Sequence, residues 1–321
     1  SFTGLIDVTT AINNAISAGG TFGRDVYFPP GKYRVSNTGA TPAVLVNKSG
    51  VSLRGAGMRS TIIYNVGTDA AIGVIGTPVI YVEGVRVSDM TIEGTGASKS
   101  GLYVSYTKHS SFERIESKSN GENGITLVAG AISNNVSACD LHDNTSTGLF
   151  ISLDGGTVRP DGNRAHGTAM RDNPAGCQVL SGDDTSLVAC MFEGTAGTQV
   201  TISRDGAAIG AARTIVDACS FTSGSGADVI VNHASDATIA NGVSYAPVSV
   251  LANASRTRFV NFYAAGAYAD AGANTLVGMS TSDTETLLAT GTDIVRFAIG
   301  TLANAFRFRR INAGGIFAIF E

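Results

Sequence analysis

Between Val85 and Ser223 the apolar positions come in short alternating runs, without the three-and-four spacing of a helix. The runs repeat as laps: a short apolar strand, a polar elbow, a second strand that often opens with Gly, and a loop. Second strands open at Gly101-Leu102-Tyr103-Val104, Gly124-Ile125-Thr126-Leu127, Gly148-Leu149-Phe150-Ile151 and Gly176-Cys177-Gln178-Val179, with a looser copy at Thr198-Gln199-Val200. The step is 23, 24, 28 and then about 22 residues. A repeat of this length, made of strands, predicts stacked coils.

The first strands set the alignment. Ala-Cys-x-(Leu/Phe) occurs at Ala138, Ala189 and Ala218, and Asp143-Asn144 rhymes with Asp172-Asn173. On this alignment Ile92, Ser117, Leu141, Met170, Phe192 and Phe221 form one column. Residues two apart on a strand share a face, so this column and the one two before it point inward. The outward columns are Thr91-Glu116-Asp140-Ala169-Met191-Ser220 and Glu93-Lys118-His142-Arg171-Glu193-Thr222. Parallel neighbours lie ~4.8 Å apart. Glu116, Lys118, Asp140, His142, Arg171 and Glu193 are therefore predicted to share one ionisable patch across four coils, with Arg171 and Glu193 forming a pair.

A second outward row, Tyr103, Val128, Phe150, Leu180 and Ile230, suits sugar stacking or a subunit interface. The longest central loop runs from Asp154 to Arg164 and is expected to overhang the patch or the next face. There Asp154, Arg159 and Asp161 are candidates to grip a substrate, as loops on rigid scaffolds often do.

Upstream, Asp7 to Ala18 predicts a helix with Ala11, Ile12, Ala15 and Ile16 on one face and Gly19-Gly20 as its stop. A strand at Asp25–Phe28, a Pro29-Pro30-Gly31 turn and a strand at Lys32–Val35 follow, then Val51-Ser52-Leu53-Arg54-Gly55-Ala56-Gly57 and Thr61-Ile62-Ile63-Tyr64. This order of helix, Gly-Gly and V-Y-F-P-P-G-K-Y-R-V resembles the N-terminal signature of the pectate-lyase-like superfamily, whose members with such a cap are common among phage tailspikes and capsule depolymerases. The resemblance covers roughly residues 7–95 at motif level and reaches about residue 262 as repeats. One departure is that the family often carries an acidic run before the helix, where only Asp7 stands here. The resemblance implies an all-β, single-stranded right-handed parallel β-helix with the helix plugging one end. With an Ala/Gly-rich stretch at Ala264–Ala273 and strand-like runs after it, the chain divides into a cap with first strands over residues 1–36, the β-helix over 37–263, and a strand-rich capping or oligomerisation segment over 264–321. The resemblance also implies a homotrimer, extracellular or on a virion, that acts on a polysaccharide.

Composition narrows this. The chain has 321 residues with no linker, 40 Gly, no Trp and only 15% charged residues, which suits strands and turns. A net charge of −4 and a pI near 5.6 give no basic face for nucleic acid. No apolar run reaches the ~18 residues of a membrane span. Cys139, Cys177, Cys190 and Cys219 include no C-x-x-C pair and read as small buried hydrophobes, without a zinc site or a disulfide. The start at Ser1, without Met or an apolar leader, reads as a mature, cleaved or truncated form.

The patch holds two chemical kits. Glu116, Asp140 and Glu193 could supply the two carboxylates of glycoside hydrolysis. His142 and Arg171, with Lys118 binding substrate, could supply the base and positive charge for β-elimination of a uronic-acid polymer. Lys118, Tyr103, Phe150, Asp154, Arg159 and Asp161 are the substrate-binding candidates. Gly182-Asp183-Asp184 and His166 resemble polygalacturonase elements but stand in the wrong order, and Arg159-Pro160 with Arg164 does not fit the pectate-lyase motif. No cofactor is expected. Calcium is left open, since clustered carboxylates can take it although no loop has EF-hand or nonapeptide spacing. The leading expectation is a depolymerase of bacterial surface polysaccharide. Its alternatives are a free-standing secreted lyase or epimerase on uronic-acid polymers, and a non-catalytic glycan-binding or structural β-helix.

Overall fold

The computed structural model describes residues 6–18, 24–37, 39–205, 210–222, 226–264, 268–272, 275–280, 294–299, 306–312 and 315–316. Up to residue 280 the strands between different coils pair in parallel, each with its counterpart in the next coil. Each coil contributes to three faces. The first two, exemplified by Ser111–Glu113 and Ile115–Lys118, are hydrogen-bonded into one continuous sheet. The third is a separate sheet of 10 strands running from Val44–Val46 to Tyr268–Asp270.

The predicted columns are in register. Ser117 pairs with Ile92 and Leu141, Leu141 with Met170, Met170 with Phe192 and Phe192 with Phe221, and all six side chains are buried. Phe192 and Phe221 stack with centroids 5.1 Å apart and planes 7° from parallel. The Ala-Cys rhyme is the corner between the first two faces. Ala138, Ala189 and Ala218 adopt φ of 51°, 52° and 52°, a left-handed conformation that turns the chain. The cysteine that follows is the first inward residue of the next strand. Cys139, Cys190 and Cys219 donate Sγ–H to the carbonyls of Phe112, Ala165 and Leu187 at 3.5, 3.6 and 3.5 Å. All four cysteines are free and buried.

The repeating Gly has a steric cause. A Cβ on Gly124 or Gly148 would lie 2.7 or 2.8 Å from the carbonyl oxygen of Gly148 or Gly176 in the next coil. Just before these glycines, the corner between the second and third faces is tied by an asparagine ladder. Asn120 Nδ2 donates to Asn144 Oδ1 at 2.8 Å, and Asn144 Nδ2 to Asn173 Oδ1 at 3.0 Å, with all three side chains buried. Such a ladder satisfies polar groups that the interior would otherwise strand, except at its first member, where Asn120 Oδ1 has no partner.

The helix spans Thr9–Ala18, starting two residues after the expected Asp7, because Asp7 accepts the Thr9 N–H at 2.9 Å and bridges to Arg34. Ile12 and Ile16 enter the core. Asn13 closes the third sheet's first edge, donating to Ala43 O at 2.8 Å and accepting from Leu45 N at 2.9 Å. At the far end, parallel pairing continues beyond residue 263: Tyr268–Asp270 joins Val248–Val250, and Leu276–Ser280 joins Arg258–Ala264. Ile294–Ile299, Phe306–Asn312 and Gly315–Ile316 form an antiparallel sheet of their own. The expected strand-rich segment over 264–321 lies partly outside the described residues.

Candidate functional site

The second face brings five of the six predicted patch residues into one network. Glu116, Asp140 and His142 offer ligand atoms that all lie within 4.8 Å of one another. Asp140 is gripped by the Arg171 fork, Nε at 2.9 Å and Nη2 at 2.8 Å. This two-point bond raises the guanidinium's pKa. His142 Nε2 lies 3.3 Å from Glu116 Oε1, and its Nδ1 lies 2.7 Å from Asp143 Oδ2. Lys118 Nζ stands 3.9 Å from Glu116. The expected Arg171–Glu193 pair does not form. The two are neighbours in register, but the fork turns to Asp140 on the other side and Glu193 stays exposed outside the network. A parallel ladder puts candidate partners at equal spacing on both sides, and only Asp140 offers a carboxylate that both guanidinium nitrogens reach.

Sequence reasoning missed Arg59. It sits at φ 67° on the turn that joins Ser52–Arg54 to Thr61–Asn65. From there its backbone N–H donates to Thr91 Oγ1 at 2.8 Å, and its side chain reaches Glu116 at 2.9 Å and Asp140 at 3.7 Å. Thr91 in turn donates to Glu116 Oε2 at 2.7 Å. Burial pushes the Glu116 carboxyl up, but hydrogen bonds from Thr91 and Arg59, joined by His142 when its Nε2 carries a proton, outweigh it and hold the group below its ordinary value. The same face continues upstream, where Lys32 Nζ lies 3.0 Å from Glu93 and 3.9 Å above the Tyr64 ring.

The Glu116–Asp140–His142 cluster could accept a metal ion, but its donors do not suit calcium. Calcium takes about six to eight oxygen ligands, and here one donor is an imidazole nitrogen while Arg59 already spans the two carboxylates.

The remaining candidates lie elsewhere. Tyr103, Phe150 and Asp154 line a cleft on the third face. The expected apolar row there is in fact two columns. Tyr103 is in register with Thr126, Phe150 with Gln178 and Thr201 with Ile230, whereas Val128 pairs with Ser105 and Ser152, and Ser152 with Leu180. Val128 is buried. The loop's other two candidates belong to the corner between the third and first faces. Arg159 donates to Ser181 O at 2.9 Å and Gly210 O at 2.6 Å and pairs with Asp183 at 2.7 Å. Asp161 is a backbone rung between Ile132 and Asp183. Asp184 is engaged by Arg213.

This stack of parallel coils, closed by a helix and carrying a linked network of ionisable groups on its second face, defines a class. Residues 34–192, just under half of the chain, match the family model described as a right handed beta helix region, and the chain is a right-handed parallel β-helix. No curated protein sequence matches it. Among solved structures it is similar to ORF18 of Geobacillus virus E2, with a TM-score of 0.72 and 16% identity over 97% of this chain and 69% of that one. It is also similar to the A-module of mannuronan C-5 epimerase AlgE4 from Azotobacter vinelandii, with a TM-score of 0.69 and 17% identity over 90% of this chain and 96% of that one. A third is the enzymatically active domain of tailspike protein 2 from bacteriophage CBA120, with a TM-score of 0.57 and 10% identity over 87% of this chain and 45% of that one. At these identities the likeness is one of fold. No helix among the described residues is long and apolar enough to cross a membrane.

Proposed function

We propose that the chain depolymerises an acidic bacterial surface polysaccharide by β-elimination, as an extracellular or virion-borne homotrimer of tailspike type. The observation that carries this reading is the ordering of charge with depth. At the centre of the network the cations lie above the two carboxylates they engage, with Arg59 70%, Lys118 30% and Arg171 29% exposed against Asp140 at 19% and Glu116 at 3%, while Asp143 at the edge is 59% exposed. An incoming chain meets guanidinium and ammonium groups first, which favours a uronate over a neutral sugar. Hydrolysis would need a carboxyl kept protonated as the acid, whereas Glu116 is held below its ordinary pKa.

In this reading Arg59 and Arg171 neutralise the uronate carboxylate and the enolate that forms from it. With its proton on Nδ1, donated to Asp143, His142 presents Nε2 as the base for the C5 proton. Once protonated, Nε2–H donates to Glu116, which steadies the imidazolium. The C4–O4 bond breaks with its electron pair on oxygen, a C4=C5 double bond forms, and the leaving oxygen takes up a proton.

The test is a panel of acidic capsules and uronate polymers. Unsaturated uronate, read by ultraviolet absorbance, and reducing ends are measured together, and both are expected to rise in step. Reducing ends alone would mean hydrolysis, with Glu116, Asp140 and Glu193 as the carboxylates to test. A second reading, binding without cleavage, is favoured by the two-point Arg171–Asp140 bond, which already occupies both groups. It predicts retention of polymer with neither signal.

A further inference from the structure

The third face holds a cleft of about 250 Å³ whose chemistry is unlike the charged patch. Its floor is the column Tyr103, Thr126 and Phe150, in register on successive coils, with Gly73 the next residue of that column. Two aromatic rings thus flank one small polar residue. The rim segment that carries Ala40 and Pro42 closes one end, and it can lie there because residue 73 is Gly. A Cβ at that position would stand 2.3 Å from Pro42 Cγ.

The polar groups of the cleft are left incompletely used. Asn123 is 8% exposed and lines the cleft, and its Nδ2 donates to Thr126 Oγ1 at 3.1 Å. Its Oδ1 is a buried acceptor with no hydrogen-bond partner. Among the described residues, the Asp154 carboxylate accepts one long bond, 3.4 Å, from the Tyr103 hydroxyl. Burial and the Asp154 charge raise that phenol's pKa to about 12, so it stays a neutral donor. Asp69, Glu122 and Asp154 face a single cation, Lys99, which stands 3.8 Å from Asp69.

The geometry points to a second carbohydrate site here, one that takes an uncharged, hydroxyl-rich sugar unit. The apolar face of a pyranose packs on Tyr103 and Phe150, and its hydroxyls donate to the carboxylates at the rim. Three carboxylates against one ammonium exclude an acidic sugar from this cleft, the reverse of the patch. The proposal is independent of the chemistry on the second face.

The test is titration calorimetry of the full chain with a fixed set of neutral hexasaccharides (maltohexaose, chitohexaose and an α-1,3-glucan hexamer) beside a mannuronate hexamer. At least one neutral hexamer is expected to bind. Phe150→Ala should weaken that binding tenfold or more and Tyr103→Phe several-fold, while Arg171→Ala, on the other face, retains it. Tyr103→Phe removes only a hydroxyl, so it reports on the cleft even if Phe150→Ala fails to fold. Three outcomes would overturn the proposal: no binding by any neutral hexamer, neutral binding unchanged in both cleft variants, or mannuronate binding that depends on Phe150. None of these would alter the reading of the patch, which is judged by unsaturated product.

Discussion

The charged second face and the cleft of the third face are built by the same coils, a few residues apart, and treat polar groups in opposite ways. On the second face, register sets Glu116 beside Asp140 and Lys118 beside His142, and Arg59 and Arg171 close the circuit, so each carboxylate of the network already has partners. On the third face, register places Thr126 between two aromatic rings and leaves Asn123 Oδ1 without a donor. One surface is internally neutralised and suited to polarising a charged ligand. The other is suited to a neutral one. A parallel stack can do both because each coil adds one residue to each column, and the two faces draw on different columns.

The sharpest way to separate the two faces is His142→Ala. It should lower cleavage by roughly 10²–10⁴-fold, the usual worth of a positioned acid or base, while neutral-hexamer binding is unchanged. Breaking both faces together should require the corner between them. Asn144 makes or accepts five hydrogen bonds with Asn120, Asn173 and the Ser117 carbonyl. Asn144→Ala should cost on the order of 3 kcal/mol in denaturant unfolding, since several buried groups lose their partners at once, and should weaken both activities.

Next comes Glu116→Gln, expected to destabilise by roughly 1–2 kcal/mol at neutral pH. The effect is discounted from a fully buried pair because Arg59 is largely in water. Its pH signature follows from the depressed pKa. The carboxylate stabilises the fold above its unfolded value, and the contribution is lost as pH falls through the lower folded value. The variant's stability should therefore be flatter than the parent's on the acid side. The smallest effect is the opposite one in the cleft. Glu122, at the mouth, is raised, first by burial and then by Asp154 and Asp69, so its contribution is present below the unfolded value and lost as pH rises through the folded one. Glu122→Gln should be slightly more stable than the parent at neutral pH, and equal stability would show the cleft's carboxylates to be fully screened.

The patch columns were legible because Ala-Cys-x-(Leu/Phe) marks a left-handed corner, after which inward and outward positions are fixed. The partner of Arg171 was not legible, since its columns place neighbours symmetrically on both sides. Arg59 was invisible for another reason. It belongs to a turn that occurs before the repeat begins, so no rhyme aligns it with Glu116. On the third face the error was one of register. Val128 and Leu180 stand two residues beyond the Tyr103 column, and apolar character alone did not reveal the offset. Asn123 carried no signal because a turn asparagine looks the same whether or not its acceptor is satisfied.

Arg59 also bears on the order in which the molecule is made. Its anionic partners lie on the coils that carry Glu116 and Asp140, which leave the ribosome well after it does. A nascent chain ending before residue 116 displays the cation without either partner, so the second face is completed only when those later coils have docked. A one-residue slip of the strand at Ile115–Lys118 would put Ile115 or Ser117 beneath the guanidinium in place of Glu116. A slipped strand thereby forfeits the Arg59–Glu116 bond.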